Sequence, residues 1–416
     1  MDIIINNKKD ELSYIRDLAK KYSEYAVSDE INSRRKAWAE HNSLNFTKPL
    51  IYIRAIPFDE FYDPGDLKCV DPALRNIEYE FKLNEYRRNL EDDYIFEPFV
   101  KIKAAVKTSP LGRWGLSEHM GEKTMAKGAS PFKPTLFEGD DLSKIFIPAH
   151  EIDEEATKRI YERYSEIYDG NLNVYTDRQG VLCDMWAKDI STSVTKFLGM
   201  ENLMLYMIDS PEWLSDLLSF MRDKILKNIE ETEAAGDFKY LNHENQAMPY
   251  AVELKPPSNE KSTPSQMWGY MAAQEYTLVS PVMFDEFLFQ YQKPILEKYA
   301  LTAYGCCEDL TEKIPVIKKL KNLRRIGVAP LADLKKCAEQ IQSDYILSWR
   351  PNPSDMVSFG INEDYIRKYI QNGMDILKEN NCKYDITLKD VETASNDRNA
   401  IINWTHIVRD MINKNF

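Results

Sequence analysis

From residue 301 onward, short β-branched or aromatic runs alternate with amphipathic helical stretches at close spacing. Strands are expected at 301–306, 323–329, 344–349 and 383–388, with helices at 310–320, 331–341, 362–378 and 400–412. Connections this short leave room only for crossover helices, so four successive units imply a parallel sheet. Four earlier runs, 50–54, 94–100, 172–176 and 238–241, also qualify as strands and bring the count to eight. The resulting expectation is an α/β fold, a (β/α)8 TIM barrel, with an open doubly wound sheet as the alternative. Residues 1–45 read as a charged N-terminal helical extension outside a barrel spanning 46–416. Gly- and Pro-rich segments at 108–141 and 246–267 read as long βα-loop insertions over the active face.

A 416-residue chain with 43% apolar content can bury one large core. Its formal net charge of -13 would repel a phosphate backbone, and no Lys/Arg-rich run offsets it, so nucleic acid is not an expected partner. The amino terminus lacks the basic flank and apolar stretch of a signal peptide, and no apolar run would cross a bilayer. Six scattered cysteines do not make a secreted disulfide framework, so a cytoplasmic setting is expected. Nothing matches a dinucleotide fingerprint or phosphate loop.

Barrel enzymes keep functional groups at the carboxyl ends of their strands. The densest such position is Tyr304-Gly305-Cys306-Cys307-Glu308-Asp309. Strand alternation sends neighbours to opposite faces, so one cysteine of the pair is expected to be structural and the other to serve as ligand or nucleophile. His243 follows the fourth expected strand and would approach the same opening, so Cys306, His243 and Glu308 form a candidate metal set, although close-spaced zinc pairs are missing. Asp177 and Arg178, Arg350 and Asn352, and Lys389 and Asp390 follow other strands, where Asp and Asn are equally at home as caps. Trp268 and Tyr270, with Gln274 and Glu275, could stack on a flat ligand or roof the core.

With those motifs in view, residues 200–410 resemble the uroporphyrinogen decarboxylase-like superfamily, which includes corrinoid-linked methyltransferases. The resemblance rests on Ser280-Pro281-Val282-Met283-Phe284-Asp285-Glu286-Phe287 with Pro294, and on the strand ending Tyr304-Gly305-Cys306. It implies an eight-stranded barrel. In the decarboxylases an Arg-Gln-Ala-Gly-Arg run grips several carboxylates; the matching stretch is Arg54-Ala55-Ile56-Pro57-Phe58, which keeps only the first arginine. In the zinc methyltransferases a His-x-Cys pair and a later cysteine hold the metal. Here Tyr304 takes the histidine place, and residues 388–393 contain no cysteine.

The resemblance therefore implies a methyltransferase moving a methyl group between a corrinoid carried by a partner protein and a small acceptor or donor, such as tetrahydrofolate or a thiol. Zinc is expected to be absent. Asp177, His243, Glu308 and Asp390 are the expected proton-transfer or catalytic groups; Arg54, Trp268, Gln274, Tyr304, Arg350 and Asn352 are the expected substrate contacts. The alternatives are a decarboxylase or other lyase of a small carboxylate, with Arg54 and Arg350 binding the acid, and a non-catalytic binding barrel. The oligomeric state is not fixed by the sequence, and a homodimer is compatible with it.

Overall fold

Six parallel strands hydrogen-bond in the order β1-β10-β9-β8-β7-β6 and form a curled, half-barrel sheet. They are β1 (Ile51–Ile53), β6 (Trp268–Met271), β7 (Leu301–Tyr304), β8 (Leu323–Val328), β9 (Ile346–Trp349) and β10 (Lys383–Leu388). The structure is a computed structural model that describes residues 8–45, 48–121 and 130–416. A separate parallel pair joins β2 (Phe99–Lys103) to β5 (Asn173–Asp177), and a small antiparallel ladder joins β3 (His119–Met120) to β4 (Phe132–Lys133). The helices are α1 (Lys8–Ala26), α2 (Asp29–Asn42), α3 (Pro72–Arg88), α4 (Glu154–Tyr168), α5 (Ile190–Asp209), α6 (Pro211–Ala235), α7 (Pro281–Phe284), α8 (Gln290–Leu296), α9 (Ile314–Ile317), α10 (Leu334–Ile341), α11 (Glu363–Glu379) and α12 (Ala400–Asn415). Among the described residues, no helix is long and apolar enough to cross a membrane.

The period-two alternation sorts each strand's side chains into two faces. Ile53, Met271, Tyr304, Ile326, Trp349, Ile386 and Leu388 join the main core, which also takes in Ile366, Ile370, Trp404 and Val408 from α11 and α12. The intervening Trp268, Tyr270, Leu301 and Ala303 belong to a separate cluster on the inner face. Each large apolar side chain buried in this way contributes about 1.5–3 kcal/mol. Helix starts follow local chemistry: Ser28, Asp71, Asp333 and Asn362 accept backbone N–H bonds at the first turns of α2, α3, α10 and α11.

The two N-terminal helices occur as expected, but α2 does more than pack outside the sheet. Its last residues reach a buried ionic layer on the inner face. There Arg325 Nη2 is 2.5 Å from Asp385 Oδ2, Ser348 and Thr387 each donate to Asp385 Oδ1 at 2.9 Å, and His41 Nε2 lies 3.3 Å from Asp385 Oδ2. Asn42 Oδ1 accepts from Arg325 at 3.3 Å, and Asn42 Nδ2 donates to the carbonyls of Met248 and Tyr250 at 2.8 and 2.9 Å.

Two strand expectations and one loop expectation shift. Residues 238–241 form no strand; Tyr240–Asn242 is a 3-10 turn, and the fourth long β run is β6. Period-two patterning could not separate the two, because all four β6 residues are buried and carry no polar alternation. Consequently 246–267 precedes a strand instead of following one. Asn42 holds the carbonyls of Met248 and Tyr250 within it, while Gln246 reaches the inner face below the carboxyl edge. The run at 94–100 becomes β2 at Phe99–Lys103, because Asp93 instead brackets β1, donating from N to Ile51 O at 2.8 Å and accepting from Ile51 N at 2.7 Å. The 108–141 segment does follow β2 and contains the β3–β4 ladder; its residues 122–129 lie outside the described residues.

Candidate active site at the carboxyl edge of the sheet

The ladder continues one residue past the strand ends of three pairs, at the same edge of the sheet. Arg54 N donates to Leu388 O at 2.9 Å, Arg350 N to Val328 O at 3.0 Å, and Gly305 N to Met271 O at 3.1 Å. Alternation from the core-facing Ile53, Trp349 and Leu388 turns Arg54, Arg350 and Lys389 to the inner face. Three cations thus gather at one edge of an acidic protein.

Gly305 ends β7 at φ +103°, a backbone region open to glycine, and turns the chain out of strand geometry before the cysteines. The expectation that Cys306 and Cys307 face opposite ways is therefore overturned: they lie on a bend, with sulfurs 3.5 Å apart. Cys306 is buried and Cys307 exposed. Lys389 Nζ donates to Cys307 Sγ at 3.0 Å, and Cys307 Sγ is 3.3 Å from Asp390 Oδ2. Lys389 also pairs directly with Asp390, whose φ of 58° puts a non-glycine residue in the left-handed region.

Two groups hold the bend in place. Glu308 accepts from Cys306 N through one oxygen and from Ala273 N through the other, each at 2.8 Å, so it ties the bend to the end of β6. Arg350 donates to the carbonyls of Cys306 and Gly305, the latter at 3.1 Å. Gly327 leaves the space this guanidinium occupies: a Cβ there would lie 2.6 Å from Arg350 Nη2 and 2.8 Å from Gly305 O. Gly327→Ala is expected to destabilise the fold by about 1–3 kcal/mol, as overpacking does. It should also slow alkylation of Cys306 several-fold at mildly acidic pH; unchanged alkylation in a stable variant would dissociate Arg350 from the thiol.

The electrostatics favour one thiolate and one thiol. The Cys306 pKa is lowered by the Cys307 S–H, and burial opposes this, while the charges of Lys389 and Arg350 lower it further. Cys307 moves the other way: its hydrogen bond with Cys306 holds the proton, burial adds to this, and a second negative sulfur beside the first is unfavourable. Burial opposes the charge on Lys389, yet Cys306, Asp390 and Cys307 raise its pKa. Asp390 is lowered, with burial outweighed by Lys389. The folded thiol pKa lies below its unfolded value, so this ionisation stabilises the fold fully above the unfolded pKa and is lost as pH falls through the folded one. Iodoacetamide labelling of Cys306 should persist well below the range of an ordinary thiol. Lys389→Met should move that labelling midpoint upward; an unmoved midpoint would remove Lys389 from the account.

The remaining expected site residues divide. Arg54 stands in the opening, its guanidinium 5.8 Å from the exposed Trp186 ring, and its buried Nη1 has no hydrogen-bond partner among the described residues. Gln274 is half-buried in the 3-10 turn just after β6. Asn352 is a turn residue, accepting from Ser354 N at 3.1 Å and donating to Asp355 at 3.1 Å. Asp177, at the end of β5, is buried and accepts from Asn242 Nδ2 at 2.8 Å, with Lys101 3.9 Å away. No contact joins it to the thiol cluster among the described residues.

Three expectations fail on geometry. Trp268 is fully buried and donates from Nε1 to Pro249 O at 2.7 Å, so it roofs the inner core and meets no ligand. Tyr304 faces the helices, donating to Gln292 Oε1 at 2.6 Å. His243 does not approach Cys306: its Nδ1 accepts from Trp268 N at 3.2 Å, at the start of β6, and its Nε2 lies 2.9 Å from Lys255 O. Five residues of strand, about 16 Å at 3.3 Å each, separate that amide from the Ala273 amide on Glu308. Both Glu308 oxygens are already engaged, and among the described residues no group of three metal-ligating side chains converges. The donors proposed for zinc around Cys306 do not fit it.

Sequence reasoning allowed a site role to only one of Cys306 and Cys307, and it missed Trp186, Gly327 and Gln246, the last of which donates to the Tyr270 hydroxyl beneath the cysteines. For Cys307 a signal was present in the glycine two residues earlier, since a turn at Gly305 ends the alternation that had separated the two thiols. Fold and site together define an α/β protein of parallel strands whose carboxyl edge carries a charge-stabilised thiol pair. Neither models of known protein families nor curated proteins give a match to the chain.

Proposed function

We propose that this chain is a methyltransferase that works through the Cys306 thiolate at the mouth of an eight-stranded (β/α)8 barrel. The strand order supports the barrel: between β6 and β1 the circle lacks two members, and β5 and β2 are parallel to each other and next in chain order. The single observation that carries the activity is the Cys306–Cys307–Lys389 arrangement. A soft thiolate is a suitable nucleophile for in-line displacement at a methyl carbon. A lowered thiol pKa reduces nucleophilicity modestly but improves the sulfur as a leaving group, which suits transfer in both directions.

In this reading Cys306 takes the methyl group, Cys307 S–H and Lys389 stabilise the sulfur's negative charge when the group leaves, and Asp390 accepts or returns a proton. Arg54 binds an anionic group of a small substrate, such as the carboxylates of a tetrahydrofolate tail or of a thiol acid. A corrinoid delivered by a partner protein supplies cobalt as the opposite methyl donor or acceptor. The test is incubation of the full chain with methylcobalamin, followed by peptide mass mapping and by addition of thiols and pterins. A methyl group on Cys306 that chases to an added acceptor supports the reading; an unmodified Cys306 and no acceptor product reject it.

A lyase acting on a small carboxylate is the second reading, favoured by the unpartnered Arg54 Nη1. It loses one expected clamp, because Arg350 is engaged by backbone carbonyls. Carbon dioxide release from candidate acids, abolished in Arg54→Met, would put it ahead.

A further inference from the structure

We propose that Cys306 and Cys307 form a dithiol–disulfide redox couple that reacts with small symmetrical disulfides and closes to a disulfide between adjacent residues. The inference uses the same residues as the methyl-transfer reading but does not rest on it. Three features of the bend argue for it together. The sulfurs are 3.5 Å apart, so a modest approach brings them to bonding distance. Cys307 is exposed and meets an external disulfide, while Cys306 is buried behind it and is placed to resolve the mixed disulfide. Lys389 and Asp390 both reach the exposed sulfur, one as a cation at 3.0 Å and the other as a proton acceptor at 3.3 Å.

The other four cysteines lack this environment. Cys69, Cys183, Cys337 and Cys382 are buried, and burial raises each thiol to about 12. Exchange is carried by thiolates, so these four are inert under conditions where the pair reacts.

The chemistry balances with a low-molecular-weight disulfide as oxidant. Cys307 passes its proton to Asp390 or water, and its thiolate, paired with Lys389, attacks one sulfur of the reagent; the S–S bond breaks and one small thiolate leaves with the electron pair. The Cys306 thiolate then attacks the Cys307 sulfur of the mixed disulfide, releasing the second small thiolate. Two protein thiols are oxidised and one small disulfide is reduced to two thiols. The closed form has no thiolate at the mouth, so any reaction that uses Cys306 stops until a dithiol reopens it.

The experiment exposes the native full-length chain to oxidised glutathione near neutral pH, then alkylates and maps the peptides. Wild type is expected to lose two of its six thiols, with the peptide carrying both cysteines lighter by two hydrogens and free of adduct. Cys306→Ser should instead retain one glutathione on Cys307, and Cys307→Ser should take up none in the same time. A stable glutathione adduct on wild-type Cys307, or six intact thiols, overturns the proposal. The wild-type map decides alone if either variant fails to fold. No corrinoid enters this assay, so a closed disulfide with no methyl transfer rejects only the methyl-transfer reading, and the converse result rejects only the redox couple.

Discussion

Asp385→Ala is expected to lower folding stability by about 3–5 kcal/mol, because it leaves a charged Arg325 buried without its partner. Arg325 is 2% exposed and Asp385 fully buried, so water cannot replace the lost carboxylate. Burial pushes the Asp385 carboxyl up, but Arg325, His41 and Thr387 outweigh it and hold it at about 2. A carboxylate depressed in this way adds stability above its unfolded pKa, near 3.9, and that stability is lost as pH falls toward the folded value. His41 is lowered chiefly by burial, so it adds a second erosion as pH drops below the ordinary histidine range. Urea unfolding should therefore show the wild type losing stability toward acid with a slope that Asp385→Ala removes in its lower part. The paired replacement Arg325→Met with Asp385→Leu should recover much of the loss, since a buried ion pair is replaceable by apolar groups. A single variant that costs less than about 1 kcal/mol would mean that Arg325 finds other partners and the layer is not a clamp.

Cys306→Ser is expected to slow methyl transfer by roughly 1,000-fold, about 4 kcal/mol of barrier, because a serine hydroxyl stays neutral where a thiol ionises. Cys307→Ser keeps a hydrogen-bond donor beside Cys306 and should remain within about tenfold of wild type. The two variants together separate the reacting sulfur from its neighbour. The rate should rise with pH through the Cys306 ionisation and level off at a pH lower than an ordinary thiol would require. Lys389→Met should move that rise upward in step with the alkylation midpoint, since one charge governs both. Equal activity of wild type and Cys306→Ser toward methylcobalamin would sink the thiolate mechanism, whatever the fold.

The two substitutions also show what the inner face does at each end. At the amino end, α2 closes the sheet through a buried polar layer in which Asn42 engages Arg325 and two backbone carbonyls. At the carboxyl edge, Arg54 Nη1 is buried without a hydrogen-bond partner among the described residues, and Cys307 is exposed. A protein with a net charge of -13 thus gathers Arg54, Arg350 and Lys389 at one edge, against its overall field.

The sequence by itself determined the parallel sheet of the second half. Its strands alternate with amphipathic helices, and each helix buries a stripe whose 3.6-residue period is local and visible. The strand ends at Arg54, Arg350 and Lys389 were legible for the same reason, since a β run stops where its apolar residues stop. Tertiary structure alone decided between 238–241 and 268–271 as strands, because a strand buried on both faces has no alternation to read. It also decided the fate of His243 and of the 246–267 segment, which fall at opposite ends of the sheet according to that choice. The meeting of Cys306 with Cys307 depended on a positive φ at Gly305, and the meeting of Cys307 with Lys389, 82 residues on, depended on the curl of the sheet, which brings the ends of β7 and β10 together across β8 and β9. Backbone turns and long-range pairing set which side chains touch, and neither is written in the spacing of neighbours along the chain.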